Sequence, residues 1–191
     1  MKVTPIAHGL DLLASDLVRS PGLHASTIYG DLYKELEPAR YNRGSGPDPV
    51  RMCLGTAWEK HFEYLLHKAG IPVERPGEFM SLGGWALSPD LVIFNGHTAI
   101  GEIKLTWMSS RDMPRSPTNG FPPRFDKYLL QIQDGCNAIE TSHARLYVYF
   151  VNGTNKPPAP ELLCWDLEFS ARELKEAFDT MVNHAKSKGM R

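Results

Sequence analysis

The sequence contains few cysteines and no long apolar run. Its 191 residues include three cysteines, Cys53, Cys136 and Cys164, which lie far apart along the chain. An odd, scattered set predicts buried thiols and argues against a disulfide framework or a zinc-binding pair. No segment approaches the roughly 20 apolar residues that a membrane span requires, and the N-terminus has no signal-peptide pattern. These absences predict a cytoplasmic protein that does not enter a membrane.

An excess of either charge is also lacking. The sequence has 21 Lys and Arg residues against 22 Asp and Glu residues, which gives a formal net charge of −1. A protein that coats DNA regardless of sequence is usually more basic, because phosphate neutralisation drives such binding. A near-neutral chain can still bind nucleic acid if acidic residues gather at a metal site and basic residues line a groove.

Helical and strand patterns alternate along the chain. They predict an α/β or α+β fold, with a central mixed β-sheet that includes an antiparallel meander and is flanked by helices. The length fits one domain over 1–191, divided into an N-terminal helical segment and loop (1–48) and a core (49–191). The predicted helices are 10–19, 26–36, 49–69, 124–139 and one from 171 onwards, and the predicted strands are 78–82, 85–94, 98–107, 144–151 and 162–169.

Local signals mark two of these helices. In helix 49–69 an apolar stripe predicts the buried face, and Gly70 occupies the usual position of a helix-terminating glycine. Ser170 and Glu173 form a capping box that begins the last helix. The stripe comprises Leu54, Trp58, Phe62, Leu65 and Leu66.

The register of the hairpin between strands 85–94 and 98–107 decides whether Asp90 joins Glu102. A two-residue Asn95-Gly96 turn would direct Asp90 away from Glu102. A three-residue loop, 94–96, pairs Asp90 with Ile100 and leaves it diagonal to Glu102, at roughly 7–8 Å between backbones. The second register also collects the apolar side chains on the opposite face, so we predict the bulged, odd-length loop.

Carboxylates and a lysine then converge on one face of the hairpin. Glu102 and Lys104 are two residues apart on a strand and therefore point to the same side. Asp90, Glu102 and the Ile103 carbonyl form a hard oxygen site suited to Mg²⁺ or Mn²⁺. Lys104 can hold or help to deprotonate an attacking water. The alternative is an exposed polar hairpin face with a chance Glu-x-Lys, and the preceding Pro-Asp favours the metal site.

The motif Ser88-Pro89-Asp90, eleven further residues and then Glu102-Ile103-Lys104 resembles the PD-(D/E)XK nuclease superfamily. Within it the chain is most similar to the phage lambda exonuclease and RecB-type branch, over about 54–149. The resemblance implies a restriction-endonuclease-like core and a metal-dependent nuclease domain. In this branch an acidic residue on the preceding helix joins the site, and a glutamine-bearing helix follows the Glu-x-Lys strand.

Those two helices supply the remaining candidates. The resemblance places Glu59 as a further metal ligand and Gln131 as the glutamine of the following helix. Glu63 is the fallback for Glu59, since both lie on one face that could equally be a solvated charged surface. The branch often carries tyrosine four residues after the glutamine, where this chain has Gly135, which leaves the role of Gln131 open.

Basic residues flank the candidate site and could contact phosphates, although scattered surface charges would look the same in sequence. Trp107 and Phe121 are candidates for stacking on bases, with core packing favoured for Trp107. The basic residues in question are Arg40, Arg43, Arg51, Arg111, Arg115, Arg124 and Lys127.

The resulting hypothesis is a Mg²⁺- or Mn²⁺-dependent deoxyribonuclease, with Asp90, Glu102 and Glu59 as ligands. The resemblance favours a phage-type exonuclease in DNA recombination, repair or end processing. It leaves open a homo-oligomer and a recombination or single-strand-binding partner protein. Two rivals stand beside it: an endonuclease of the same superfamily, and an inactive nucleic-acid-binding module that keeps the fold.

Overall fold

The computed structural model describes residues 20–41, 48–116, 119–157 and 159–190. These residues form seven strands and five α-helices. The predicted helix over 10–19 lies outside these residues. One 3₁₀ turn, Pro123–Phe125, precedes α4. The elements are α1 (Ala25–Leu36), α2 (Pro38–Tyr41), α3 (Pro49–Lys68), β1 (Val73–Glu74), β2 (Phe79–Met80), β3 (Ala86–Leu87), β4 (Leu91–Phe94), β5 (Thr98–Thr106), α4 (Asp126–Ala138), β6 (His143–Phe150), β7 (Glu161–Glu168) and α5 (Ala171–Ser187).

A five-stranded mixed sheet forms the centre of the fold, in the order β1-β4-β5-β6-β7. β5 and β6 are parallel, because α4 crosses over between them, and the other neighbouring pairs are antiparallel. Helices flank the sheet, so the predicted α/β fold with a mixed sheet is confirmed.

The first strand of the predicted meander is present as β2, shorter than predicted and paired antiparallel with 86–87, but the prediction of one continuous second strand is wrong. Pro89 lacks a backbone N–H and interrupts the segment 85–94, which divides into β3 and β4. β3 pairs with β2 in a separate two-stranded sheet, whereas β4 pairs with the short strand β1.

The β4–β5 hairpin closes through an odd-length loop, as predicted, but with a different register. The loop comprises Asn95, Gly96 and His97, and Phe94 pairs with Thr98. Gly96 has the expected left-handed conformation, with φ of 79°. Ile93 therefore pairs with Ala99, whereas a 94–96 loop would pair it with His97. This shift of two residues preserves the orientation of alternate side chains.

Two helices cover opposite faces of the sheet. On one face Phe62 and Leu66 of α3 pack on Leu91, Ile93 and other residues of a buried cluster. The predicted stripe is wrong at its edges, because Leu54 and Leu65 are 44% and 37% exposed. Most residues in the N-terminal half of α3 are exposed.

α4 covers the other face and also supports α1 and α5. Ile132 and Cys136 pack on Ile100 of β5 and on β6, while Leu130 enters a second cluster with α1 and α5. Cys136 is buried as predicted, but Cys53 and Cys164 are exposed, which corrects the expectation of three buried thiols.

Helix ends follow the sequence signals. Asp48 caps α3 by accepting hydrogen bonds from Val50 N (3.0 Å) and Arg51 N (3.3 Å), and Ser170 and Glu173 form the predicted capping box of α5. Gly70 follows α3 with φ of 74°. Among the described helices, none is both long and apolar enough to cross a membrane.

Candidate active site

The break at Pro89 frees Asp90 from strand pairing and turns its side chain towards β5. Asp90 Oδ2 accepts a hydrogen bond of 2.8 Å from Ile103 N. The carboxylate thus replaces the strand partner that Ile103 would otherwise have. Because the N–H and C=O of one strand residue point to the same neighbouring strand, the Ile103 carbonyl also faces the side of Asp90.

Glu102 and Lys104 extend from β5 on its α4 side. The side chain of Glu102 is 1% exposed, and burial of this kind makes an ionised carboxylate costly. Its Oε1 forms an ion pair with Lys104 Nζ, which also lies 3.8 Å from Asp90 Oδ2. The structure therefore brings together the three side chains of the sequence motif.

Burial and the charges of neighbouring groups shift the pKa values of Glu102 and Lys104. Burial and the neighbouring Asp90 charge raise the pKa of Glu102 to about 8, although Lys104 opposes the shift. Burial alone would lower the pKa of Lys104, but the carboxylates of Glu102 and Asp90 outweigh it and hold the pKa above its ordinary value. Lys104 is consequently an ammonium ion, suited to holding a water or an anion rather than to accepting a proton.

The two glutamates of α3 have different surroundings. Glu59 lines the same cavity as Asp90 and Glu102, and burial followed by the Asp90 charge raises its pKa to about 7. Glu63 accepts a hydrogen bond of 3.1 Å from Arg75 Nε and does not line the cavity. The geometry favours Glu59 over the fallback Glu63.

α4 contributes Gln131 to the cavity wall. Asp134 and Gly135 lie on the same helix face and line the cavity with it. A Cβ at Gly135, where the resembling branch often has tyrosine, would lie in van der Waals contact with Ile100 of β5, at 3.4 Å. Tyr128, one turn before Gln131, instead places its ring 5.6 Å from Lys104 Nζ.

A cavity of about 460 Å³ connects these elements. Glu59, Asp90, Glu102 and Gln131 all line it, together with residues from the beginning of α1. Across the described parts of the chain, no three His, Cys, Asp or Glu side chains are close enough to hold a metal ion by themselves. Any ion here would therefore need the two hairpin carboxylates plus backbone or water oxygens.

The donor set nevertheless fits a hard divalent cation. Asp90 and Glu102 supply carboxylate oxygens, and the Ile103 carbonyl faces the same side of the hairpin. Among the described residues, Glu102 Oε1 is buried and accepts no hydrogen bond of ordinary geometry, and Lys104 is the cation paired with it. A cation beside these oxygens would offset the repulsion that raises the pKa of Glu102.

The two aromatic candidates for base stacking pack on other side chains. Phe121 packs on Phe125 and Trp165 in the core, and half-buried Trp107 lies beneath the Arg51 guanidinium at 5.0 Å.

Most of the basic residues noted in the sequence form ion pairs or hydrogen bonds within the protein. Arg43 lies outside the described residues. Arg40, Arg51, Arg115 and Arg124 form ion pairs with Glu37, Asp48, Glu161 and Asp112, and Arg111 donates to the Thr154 carbonyl.

Several cavity residues were not predicted from the sequence, among them Tyr29, Arg75 and Asp134. Tyr29 and Arg75 come from segments with no local motif, and only the tertiary fold brings them to the site. Arg75 contacts both glutamates of α3, at 3.9 Å from Glu59 Oε2. Asp134 did have a signal, since it follows Gln131 by three residues and must share its helix face.

Solved structures share this architecture. The crystal structure of an alkaline exonuclease (LHK-Exo) from Laribacter hongkongensis matches with a TM-score of 0.55, at 17% identity over 87% of each chain. Its complex with dAMP matches at 0.55 and 16% identity over the same shares, and SSO0001 at 0.51 and 10% identity over 90% of this chain and 80% of that one. No family model and no curated protein matches the sequence. The chain has the fold of the Laribacter hongkongensis exonuclease, and identities of this size establish the fold alone.

Proposed function

We propose that the protein is a Mg²⁺- or Mn²⁺-dependent deoxyribonuclease. The observation that carries this proposal is the convergence of Asp90, Glu102 and Lys104 at a cavity in which Glu102 is fully buried. A buried carboxylate is costly to stability, and its presence beside a second carboxylate and a lysine is typical of catalytic sites. The shared fold of a known exonuclease adds support.

The residues have distinct proposed roles. Asp90, Glu102 and the Ile103 carbonyl would hold the cation. Glu59 lines the same cavity but lies too far from this pair to complete a group of three carboxylates, so it would contact the ion through a bound water. The bound cation would polarise the phosphate and lower the pKa of a water. Lys104, held protonated by its two carboxylates, would orient that water and offset the charge that develops on the phosphate. Gln131 would position the substrate or the water from the α4 side of the cavity.

Incubation of the purified protein with labelled linear duplex and single-stranded DNA, with each divalent metal or with EDTA, tests the proposal. We expect cleavage that needs the metal and falls at least about 100-fold in a Lys104→Ala variant, since it loses a group that stabilises the transition state. Lys175→Ala, at an exposed ion pair on α5, is the matched control and should keep full activity. Absence of cleavage by the wild type, or equal cleavage by a folded Lys104→Ala protein, would contradict the assignment.

Within this activity we favour an exonuclease that processes DNA ends in recombination or repair, as a phage enzyme would. It could act as a homo-oligomer or with a recombination or single-strand-binding protein. The basis is the sequence resemblance and the shared fold. Covalently closed circular DNA separates this proposal from an endonuclease, because a strict exonuclease leaves the circle intact while degrading the same molecule once it is linear.

A further inference from the structure

Lys127 differs from the other basic residues around the site. Within the described residues it forms no ion pair and no hydrogen bond, whereas the described arginines noted in the sequence are all bound to a carboxylate or a carbonyl. Its Nζ instead lies over two aromatic rings, 5.4 Å from the centre of Tyr29 and 5.0 Å from that of Tyr41.

The charges that most affect the pKa of Lys127 are those of two other lysines. The half-buried side chain loses part of its hydration, and Lys34 and Lys104 add positive charge, so the pKa of Lys127 is lowered. The faces of the tyrosine rings offset only part of this cost. An anion in this place would therefore gain the attraction of a lysine that none of the described carboxylates neutralises.

The position of Lys127 relates it to the cavity. It lies one helical turn before Gln131 on α4, on the same face of that helix. Tyr29, whose ring lies under the Lys127 ammonium group, itself lines the cavity with Asp90 and Glu102. Lys127 thus lies beside the cavity, one residue layer away from the carboxylates.

We propose that Lys127 binds a backbone phosphate of the DNA strand whose scissile bond lies in the cavity. This inference rests on the proposed function and adds a substrate-binding residue outside the metal site. An ammonium group on a flexible stem suits a phosphate oxygen, and the rings of Tyr29 and Tyr41 confine the direction in which it points. The contact positions the strand without reading its sequence.

A purely structural role is the competing explanation, in which Lys127 joins α4 to α1 and α2 through the two rings. Such a role would change stability but not the dependence of DNA binding on salt. Lys127→Met keeps the aliphatic stem, and Lys127→Arg keeps the charge above the rings. Lys175→Met removes one charge from an exposed ion pair on α5 and serves as the control for net charge.

The test measures binding of a fluorescent oligonucleotide without divalent metal, so that no cleavage occurs, at a series of salt concentrations. For Lys127→Met we expect affinity on the order of tenfold weaker and a slope of log K against log salt reduced by about one. Lys127→Arg should restore most of both values, and Lys175→Met should resemble the wild type. If Lys127→Met is folded and has the affinity and salt slope of the wild type, the inference is wrong.

Neutral methylphosphonates locate the contact. When each phosphate of the oligonucleotide is replaced in turn, one position should weaken wild-type binding and have no further effect on Lys127→Met. If every replacement that weakens wild-type binding weakens the variant to the same extent, Lys127 touches no phosphate. Failure of the wild type to bind any DNA would overturn the proposed function and this inference together, whereas binding that is independent of Lys127 overturns the inference alone.

Discussion

Glu59 and Glu102 are acidic groups whose surroundings favour the protonated form. Burial and then the charge of Asp90 raise the pKa of Glu59 from 4.5 to about 7 and that of Glu102 from 4.5 to about 8. Between the ordinary pKa of 4.5 and the raised value of about 8, the folded protein without a cation therefore binds more protons at these two groups than the unfolded chain does. Its free energy of unfolding falls as pH rises through this window, because ionisation is more costly in the folded state.

A divalent cation should reverse this trend, since it binds the ionised carboxylates and competes with protons. We expect the rise in melting temperature caused by Mg²⁺ to be small at pH 6 and much larger at pH 9, measured by scanning calorimetry. Nuclease activity should increase over the same range. In Glu102→Gln the Mg²⁺-dependent rise should be largely lost at both pH values, while Glu63→Gln, which alters a carboxylate outside the cavity, should behave as the wild type. A stabilisation by Mg²⁺ that does not change with pH would contradict the prediction.

The motif residues could be predicted one by one, but most of their partners could not. Asp90, Glu102 and Lys104 stand out because their spacing and strand periodicity place them on one face. Arg75 contacts Glu59, and the two tyrosines confine Lys127, through tertiary packing that leaves no local pattern in the sequence. The same limit applies to Cys53 and Cys164, whose exposure depends on which surfaces remain uncovered.

At the level of secondary structure, periodicity identified the long elements and missed the pairing of the short ones. β5, β6 and β7 and helices α3 to α5 lie within a few residues of their predicted bounds. β1 has only two residues, too few for an alternating pattern, so its place beside β4 could not be foreseen. The three-residue length of the β4–β5 loop was predictable from the apolar face, but its position was not, because loops over 94–96 and 95–97 place the apolar side chains on the same face.

The β4–β5 loop requires glycine at its centre. Gly96 has a φ of 79°, which a residue with a Cβ adopts at a cost, so Gly96→Ala should lower the free energy of unfolding by about 1 kcal/mol. Gly30→Ala is the matched control: Gly30 lies inside α1 with open space around its Cα, and alanine there should raise stability by about 0.5–1 kcal/mol. Urea denaturation measures both changes, and equal effects of the two substitutions would refute the loop conformation.

In the whole molecule, α4 links the two larger apolar clusters and carries part of the cavity wall. Ile132 packs against the sheet, Leu130 packs towards α1 and α5, and Gln131 between them lines the cavity. The small β2–β3 sheet is tied to this helix by a hydrogen bond of 2.9 Å from Trp85 Nε1 to Asp134 Oδ2. The cavity is therefore enclosed by elements that are far apart in sequence, and its walls depend on the packing of α4.

The Trp85–Asp134 bond should contribute measurably to the stability of the whole fold. Both side chains are buried, and Asp134 Oδ1 has no hydrogen-bond partner among the described residues. Trp85→Phe removes the only described side-chain donor to this carboxylate, so we expect the free energy of unfolding to fall by about 1–3 kcal/mol beyond the loss of ring area. In a protein that also carries Asp134→Leu, no carboxylate needs a donor, so Trp85→Phe should lower the free energy of unfolding only by the lost packing. Chemical denaturation of the four proteins gives the coupling energy, and a value near zero would mean that the bond does not hold the β2–β3 sheet against α4.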